Sequence, residues 1–326
     1  MNYTQRLADN YISPGMGGEM SSRQIVGIGN LEAQQLFMKE RRKYLDEWAF
    51  LEAIIERVFL NRTIHPPSDE VRQKVAHLPD DDPEVMAIED KYRTDLIVYT
   101  LGRMAVDDLS ELTLLAGNGW GIGALKILRG MYERIVTSAY IAKSPQASRA
   151  FWDGFWTQRL KLWNRLTAAD PAIVQRATPE VVEEIKTEAK RVQERKNASV
   201  CKLCGQIKLI DAWTPLDLAS MAKIVGKSLE DQYGYCYLDP TSHTHATASG
   251  MFARMEHTDD AWLYRLDTRA EARVALTLGH KLLLRNLLIQ NEYFSLGLDD
   301  SIRQRVDAFD QVWNDHGAPM SNEIQG

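Results

Sequence analysis

The sequence predicts an all-α protein, a multi-helix bundle with long antiparallel helices. Apolar residues recur at three- and four-residue steps in one segment after another, which is the period of amphipathic helices. Short motifs typical of helix starts precede several of these segments. Strand-like patterns are almost absent, and the one candidate is QIKLI at 206–210. With 326 residues, 44% of them hydrophobic, the chain can bury a large core.

The first half of the chain predicts an arm followed by long helices. Residues 1–30, rich in glycine, are expected to form a flexible arm, and the helical domain covers 31–326. Periodicity predicts helices over 31–61, 68–78, 83–116 and from a glycine loop to 143. Ser68 is placed to cap the second of these, because its hydroxyl can accept a hydrogen bond from a free amide of the first turn.

The second half carries its helix starts as short motifs. These are Ser144-Pro145, Thr178-Pro179-Glu180, Thr214-Pro215, Ser228-x-x-Asp231 and Thr268-x-x-Glu271. Proline suits the first helical turn, and a Ser or Thr three residues before an acid resembles a capping box. The last motif opens one long helix over 268–297, and an irregular insertion is expected near 198–212.

Bulk composition narrows the function classes. A formal net charge of −6 argues against wholesale attraction to nucleic acid or an anionic membrane. Three cysteines, an odd number, form no disulfide framework and suit a reducing compartment. No signal-peptide core and no run of about 18 apolar residues occurs. We therefore expect a cytoplasmic protein without membrane contact.

The stretch AGNGWGIGA, 116–124, contains four glycines at every second position, and an apolar helix follows it. Gly119-x-Gly121-x-x-Ala124 fits a loose dinucleotide fingerprint, in which backbone amides bind a pyrophosphate. That fingerprint needs a preceding strand, whereas the leucines before it stand at helical spacing. The sequence favours a turn between two helices.

The helix after this loop carries two charges on an apolar side. Arg129 and Glu133, one turn apart, share a stripe with apolar neighbours and are expected on a largely buried face. Buried charges must be paired and hydrogen-bonded, because their desolvation costs several kcal/mol per ion. The pair either anchors a structural network or lines a functional cleft.

The segment YGYCYLDPTSHTHATASGM, 233–251, concentrates polar aromatic and titratable residues. Tyr237, Ser242, His243 and His245 lie within it, and histidine titrates near neutral pH. No Asp–His–Ser order supports a catalytic triad. The histidines are either core residues or part of a site.

Cys201-x-x-Cys204-Gly205 resembles a zinc knuckle, and Cys236 with a downstream histidine could complete a Cys₃His set. A second knuckle is missing, and Cys236 also fits a core position, so we assign no metal and no cofactor. Lysines and arginines cluster over 190–208, as a solvated face or as a contact for phosphate or RNA.

Arg129-x-x-x-Glu133, Tyr233-x-x-x-Tyr237 and Ser242-x-x-His245 together resemble a family of uncharacterised bacterial helical proteins, over roughly 95–260. The resemblance implies that Arg129, Glu133, Tyr237 and His245 are shared polar positions that form the site, whether it binds or catalyses. The zinc-knuckle motif is not part of this resemblance.

An alternative is a resemblance to the HEPN (higher eukaryotes and prokaryotes nucleotide-binding) proteins, which are ribonucleases of toxin and phage-defence systems. Their signature is an arginine followed, after four to six residues, by a histidine. Arg72-x4-His77 and Arg273-x6-His280 resemble that signature, in about the number that chance predicts. The resemblance implies a metal-independent RNase, commonly a homodimer, in which His245 or His280 acts with an arginine on RNA. The leading hypothesis is a binding or interaction protein for a small ligand or a protein partner.

Overall fold

The structure is a computed structural model that describes residues 31–79, 82–196, 213–258, 261–265 and 267–313. Within these ranges the chain is all-α apart from one small hairpin, which confirms the predicted fold class. The arm, the strand candidate at 206–210 and the insertion near 198–212 lie outside the described residues. None of the described helices is both long enough and apolar enough to cross a bilayer.

Long helices dominate the architecture. In chain order the helices are α1 (Leu31–Glu40), α2 (Arg42–Ile55), α3 (Asp69–Val75), α4 (Pro83–Gly117), α5 (Gly121–Lys143), α6 (Gln146–Ala169), α7 (Ile173–Arg176), α8 (Pro179–Lys196), α9 (Leu218–Val225), α10 (Lys227–Tyr233), α11 (Asp239–Thr244), α12 (Ala248–Phe252), α13 (Arg269–Phe294) and α14 (Asp299–Trp313). Two π-helical turns, Glu56–Leu60 and Gly234–Leu238, extend α2 and α10.

The core lies between α4, α5 and α13, which pack against one another. Leu109, Leu128 and Leu283, one from each helix, are completely buried. Burial of one such side chain contributes about 1.5–3 kcal/mol relative to exposure. α14 covers α13 on one side, and α9 and α11 pack on α5.

A polar ladder sets the register between α4 and α13. Asn286 donates a hydrogen bond to the carbonyl of Gly102 at 2.8 Å, and Gln290 donates to that of Val98 at 2.9 Å. A Cβ on Gly102 would lie 2.2 Å from Nε2 of Gln290, so a larger residue here would displace the Gln290 amide from its bond to Val98. These two hydrogen bonds join helices that lie more than 180 residues apart in the chain, and no local sequence pattern predicts their contact.

The glycine loop is a helix–loop–helix turn, as the sequence favoured. Gly119 has a φ of 78°. Thr268, just before α13, donates its hydroxyl to the Gly119 carbonyl at 2.7 Å and accepts from the Gly121 amide at 2.9 Å. A phosphate would need that same amide, so the phosphate-binding interpretation fails.

One of these predicted helix starts has another cap, while others are confirmed, among them Thr178-Pro179-Glu180, where α8 begins at Pro179. The Ser68 hydroxyl accepts from the Val71 amide at 3.3 Å, as predicted. The start expected at Thr214-Pro215 is wrong: α9 begins after Asp217, whose carboxylate accepts from the Ser220 amide at 2.8 Å. The charged acceptor stands nearer the apolar run and satisfies the free amides better than a neutral hydroxyl.

The two capping boxes are also corrected. Ser228 lies inside α10 and caps nothing. Thr268 stands before α13, but its hydroxyl serves the glycine loop, and Glu271 pairs with Arg265 instead of closing the box. Tertiary partners compete with local capping for the same short side chains.

A two-stranded hairpin follows α12 and was not predicted. Strands β1 (Met255–His257) and β2 (Trp262–Tyr264) pair antiparallel, with Met255 opposite Tyr264. Three residues are too few for an alternating pattern to be recognised, and all of β2 is exposed.

Candidate functional site

Arg129 is the centre of a group of polar side chains between α5 and α11. Its Nε donates to the Thr241 hydroxyl at 2.9 Å, and its Nη2 donates to Glu133 Oε1 at 3.3 Å and to Tyr237 Oη at 3.2 Å. The guanidinium carbon also lies 4.7 Å from the centre of the Tyr237 ring, within the range of a cation–π contact. We call Arg129, Glu133, Tyr237 and Thr241 the polar cluster.

Aromatic stacking positions Tyr237. Its ring stacks on Tyr233 at 5.3 Å between centroids, and both rings contact Tyr132 of α5 at 6.4 Å. The Tyr132 hydroxyl donates to the Leu229 carbonyl at 2.7 Å, and burial raises the pKa of this phenol. Tyr132 therefore stays protonated and ties α10 to α5, which places the π-helical turn above Arg129.

Thr241 completes the cluster, and the sequence did not single it out. Its hydroxyl donates to the Tyr237 carbonyl at 2.5 Å and so turns a lone pair toward Arg129. The signal was available: Thr241 follows Tyr237 by four residues, the spacing that puts two helical side chains on one side.

The cluster is less buried than the sequence predicted. The Arg129 side chain is 21% exposed and that of Glu133 is 40% exposed. The expectation of a largely buried pair is therefore wrong, although their one-turn spacing and their pairing are as predicted. α9 and α11 cover the neighbouring apolar side of α5 and leave Glu133 at the rim.

His245 does not join the cluster. Its side chain is exposed, and no hydrogen bond or ion pair links it to the rest of the described chain. Its backbone amide donates to the Thr241 carbonyl at 3.4 Å, which places the residue at the end of α11. The structure brings together three of the four predicted site residues and leaves the histidine beside them in solvent.

Two other residues of this segment, Cys236 and Ser242, serve the fold. Cys236 is fully buried, and burial raises the pKa of its thiol to about 12, so it remains a neutral core side chain. Ser242 donates to the Asp239 carbonyl at 2.7 Å. Cys201 and Cys204 lie outside the described residues, and among those that are described no three metal-binding side chains come together.

His280 is closed to any substrate. It lies between Tyr44 and Phe309, and its Nδ1 accepts from the Trp313 indole at 3.0 Å. Burial lowers the pKa of its imidazole to about 3. Arg273, two turns away, is exposed. Their helical spacing is correct, but α14 covers only the histidine, so the Arg273–His280 pair forms no site.

A family match covers the part of the chain that contains the polar cluster. The model of a family described as "Family of unknown function (DUF5677)" matches residues 95–261. The chain belongs to this family. The match confirms the predicted resemblance to an uncharacterised family over roughly 95–260, and nothing in it indicates a HEPN-like protein. No curated protein and no solved structure matches the chain.

The DUF5677 region runs from α4 to the turn of the hairpin and contains the whole polar cluster with His245. Two surface cavities lie away from the cluster. One, of about 630 Å³, is lined by Pro179, Glu180, Glu183, Glu184, Thr187 and Glu188. The other, of about 390 Å³, is lined by Pro67, Ala87, Ile88, Lys91, Tyr92 and Asp95. Neither of these cavities reaches the polar cluster.

Proposed function

We propose that this DUF5677 protein is a binding protein that recognises a protein partner beside the polar cluster. The observation that supports this best is the position of Glu133. One of its oxygens holds Arg129, while 40% of the side chain faces solvent. Leu238, next to Tyr237, is 53% exposed, and His245 is exposed one turn beyond Thr241. We call Glu133, Leu238 and His245 the recognition surface.

The chemistry of the cluster favours recognition over catalysis. Three bonds from Nε and Nη2 of the Arg129 guanidinium go to Thr241, Glu133 and Tyr237, all within the chain. A catalytic arginine has to direct donors at the reacting group. Here the arginine instead holds the π-helical turn and α11 on α5, so that the exposed residues beside it keep a constant arrangement.

The open position favours a protein partner over a small ligand. Small molecules are taken up in concave pockets that bury most of their surface. An exposed acidic, an exposed apolar and an exposed imidazole side chain suit a partner that presents a basic or hydrogen-bonding group next to an apolar one.

Matched variants test the proposal. We expect a partner captured from cell extract, once purified, to bind wild type and the control Leu114→Ser with equal affinity, since Leu114 is an exposed leucine on α4. Glu133→Gln and Leu238→Ser should each weaken binding about tenfold, the effect of losing one well-placed contact at an interface. Partner affinity that is unchanged in both variants would contradict the proposal.

The nuclease alternative now depends on His245, because His280 is buried. Incubation of the pure protein with total RNA distinguishes the two functions. RNA cleavage that disappears in His245→Ala, with helical circular dichroism intact, would replace the binding proposal. We expect no RNA cleavage by the wild type or by His245→Ala.

A further inference from the structure

α6 carries an exposed stripe that has the spacing of a coiled-coil seam. Its members follow one another at steps of three and four residues: Trp152, Phe155, Arg159, Leu162 and Leu166. At 3.6 residues per turn these positions fall within an arc of about 80°. The four apolar members are between 37% and 57% exposed. We call these five residues the seam.

The seam is separate from the side of α6 that packs within the chain. α6 packs against α8, which buries Ile185, Ala189 and Val192. The half-buried Trp156 and Trp163 lie about 80° and 60° around α6 from the centre of the seam. α4 also packs on α6 near its first turn, where Ser148 is buried. From Trp152 onward, a side with a sustained apolar period remains exposed among the described residues, which is the pattern of an unfilled helix interface.

α8 carries a complementary acidic groove. Glu180, Glu183, Glu184 and Glu188 line the 630 Å³ cavity on this helix. The first three form no salt bridge within the described chain, and neither does Arg159, whose guanidinium lies 5.2 Å from the Phe155 ring centre. The seam therefore offers an unpaired positive charge among apolar side chains, and the groove offers unpaired negative ones.

The two surfaces have the relative placement that a two-fold symmetric assembly needs. The groove lies about 130° around α8 from its buried side, and the seam lies about 70° around α6 from Trp156 and Trp163, both in the same rotational sense. The short connection between α6 and α8 makes the two helices antiparallel, and it puts Arg159, Leu162 and Leu166 at the same end as Glu180 and Glu184. A two-fold axis parallel to the helices then brings each seam onto the groove of the other copy.

We propose that two copies of this chain join their α6–α8 hairpins into a four-helix bundle, in which the seam of one copy fills the acidic groove of the other. Arg159 of one copy then pairs with the glutamates of the second copy, with Glu184 at the centre, and the apolar seam residues leave water together. This pairing does not depend on the recognition surface at Glu133, which lies on α5.

Sedimentation equilibrium of the full chain tests the proposal. We expect a dimer at a protein concentration of about 100 µM, within reach of an interface of modest affinity. Leu162→Asp should give a monomer, while the control Leu114→Asp, at a similarly exposed leucine on α4, should remain dimeric. Circular dichroism and the thermal midpoint confirm that each variant is folded.

A charge exchange locates the contact. Arg159→Glu and Glu184→Arg should each raise the dimer dissociation constant about fivefold or more, because each places like charges opposite one another. The double variant restores opposite charges and should return to within about threefold of wild type. A monomeric wild type, a dimer indifferent to Leu162→Asp, or a double variant as weak as the single ones would each overturn the proposal.

Discussion

Arg129 and Thr241, 112 residues apart in the chain, are joined by a hydrogen bond of 2.9 Å from Nε to the hydroxyl. The bond connects the middle of α5 with α11, the helices that carry Arg129 and Thr241 of the polar cluster. Because the threonine hydroxyl also donates to the Tyr237 carbonyl, a single side chain orients both the arginine and the π-helical turn. The stability of this part of the DUF5677 region therefore depends on a residue without charge.

Thr241→Val should destabilise the protein by about 1 kcal/mol, because it keeps the shape of the side chain and leaves the Nε donor of Arg129 without its acceptor. Urea unfolding followed by circular dichroism measures the change. Thr244→Val is the matched control, since the Thr244 hydroxyl only donates to the Pro240 carbonyl in the same short helix. Equal losses in both variants would show that the bond to Arg129 contributes nothing.

Gly121→Ala should destabilise the protein by about 3 kcal/mol or more, because a Cβ would lie 2.0 Å from the Thr268 carbonyl oxygen, and backbone cannot move aside as a side chain can. Gly234→Ala is the control, since a Cβ there meets nothing within 4 Å. Its effect should stay within about 1 kcal/mol and favour the folded state, as alanine does in a helix. Thermal and urea unfolding give both values; an unchanged Gly121→Ala protein contradicts the packing of α5 on α13.

His280 should make the folded protein sensitive to acid. Burial holds the pKa of its imidazole at about 3, below the ordinary value of 6.5, so the unfolded chain takes up a proton first as pH falls. The contribution is complete above pH 6.5 and is lost between about pH 6.5 and 3, at up to about 1.4 kcal/mol per pH unit. His280→Gln, whose amide can still accept from Trp313, should flatten the curve of unfolding free energy against pH in that range. A curve of unchanged slope would show that the histidine is protonated in the folded state.

Asp108 should make the folded protein less stable as pH rises, which is the opposite of the effect of His280. Burial raises the pKa of its carboxyl to about 6, against an ordinary 3.8, and the neighbouring Arg134 only partly offsets this. For an acid whose pKa is raised by folding, the stabilising contribution is complete below pH 3.8 and is lost as pH rises through 6. The free energy of unfolding of wild type relative to Asp108→Asn should therefore fall between about pH 4 and 6 and then stay level. If it rises instead over that interval, the ion pair with Arg134 outweighs burial.

Local sequence patterns were sufficient for the helices and for part of the site. The periodicity around Arg129 and Glu133 predicted both their helix and their pairing, and the resemblance that joined them to Tyr237 is confirmed by the DUF5677 match. Thr241 was missed because its only signal, the four-residue spacing from Tyr237, is weak in a segment with many polar residues. The His245 contact was expected from the resemblance, and the structure leaves that side chain in solvent.

The sequence by itself determined where the long helices run and where they turn, because hydrophobic period, glycine and proline act within a few residues. Only the tertiary structure decided which sides of those helices are covered. α14 buries His280 and leaves Arg273 in solvent on the same helix, and Thr268 serves the Gly119–Gly121 loop instead of its own capping box. Such choices depend on contacts between residues far apart in the chain, whose burial and hydrogen bonds outweigh the short-range preferences that a sequence displays.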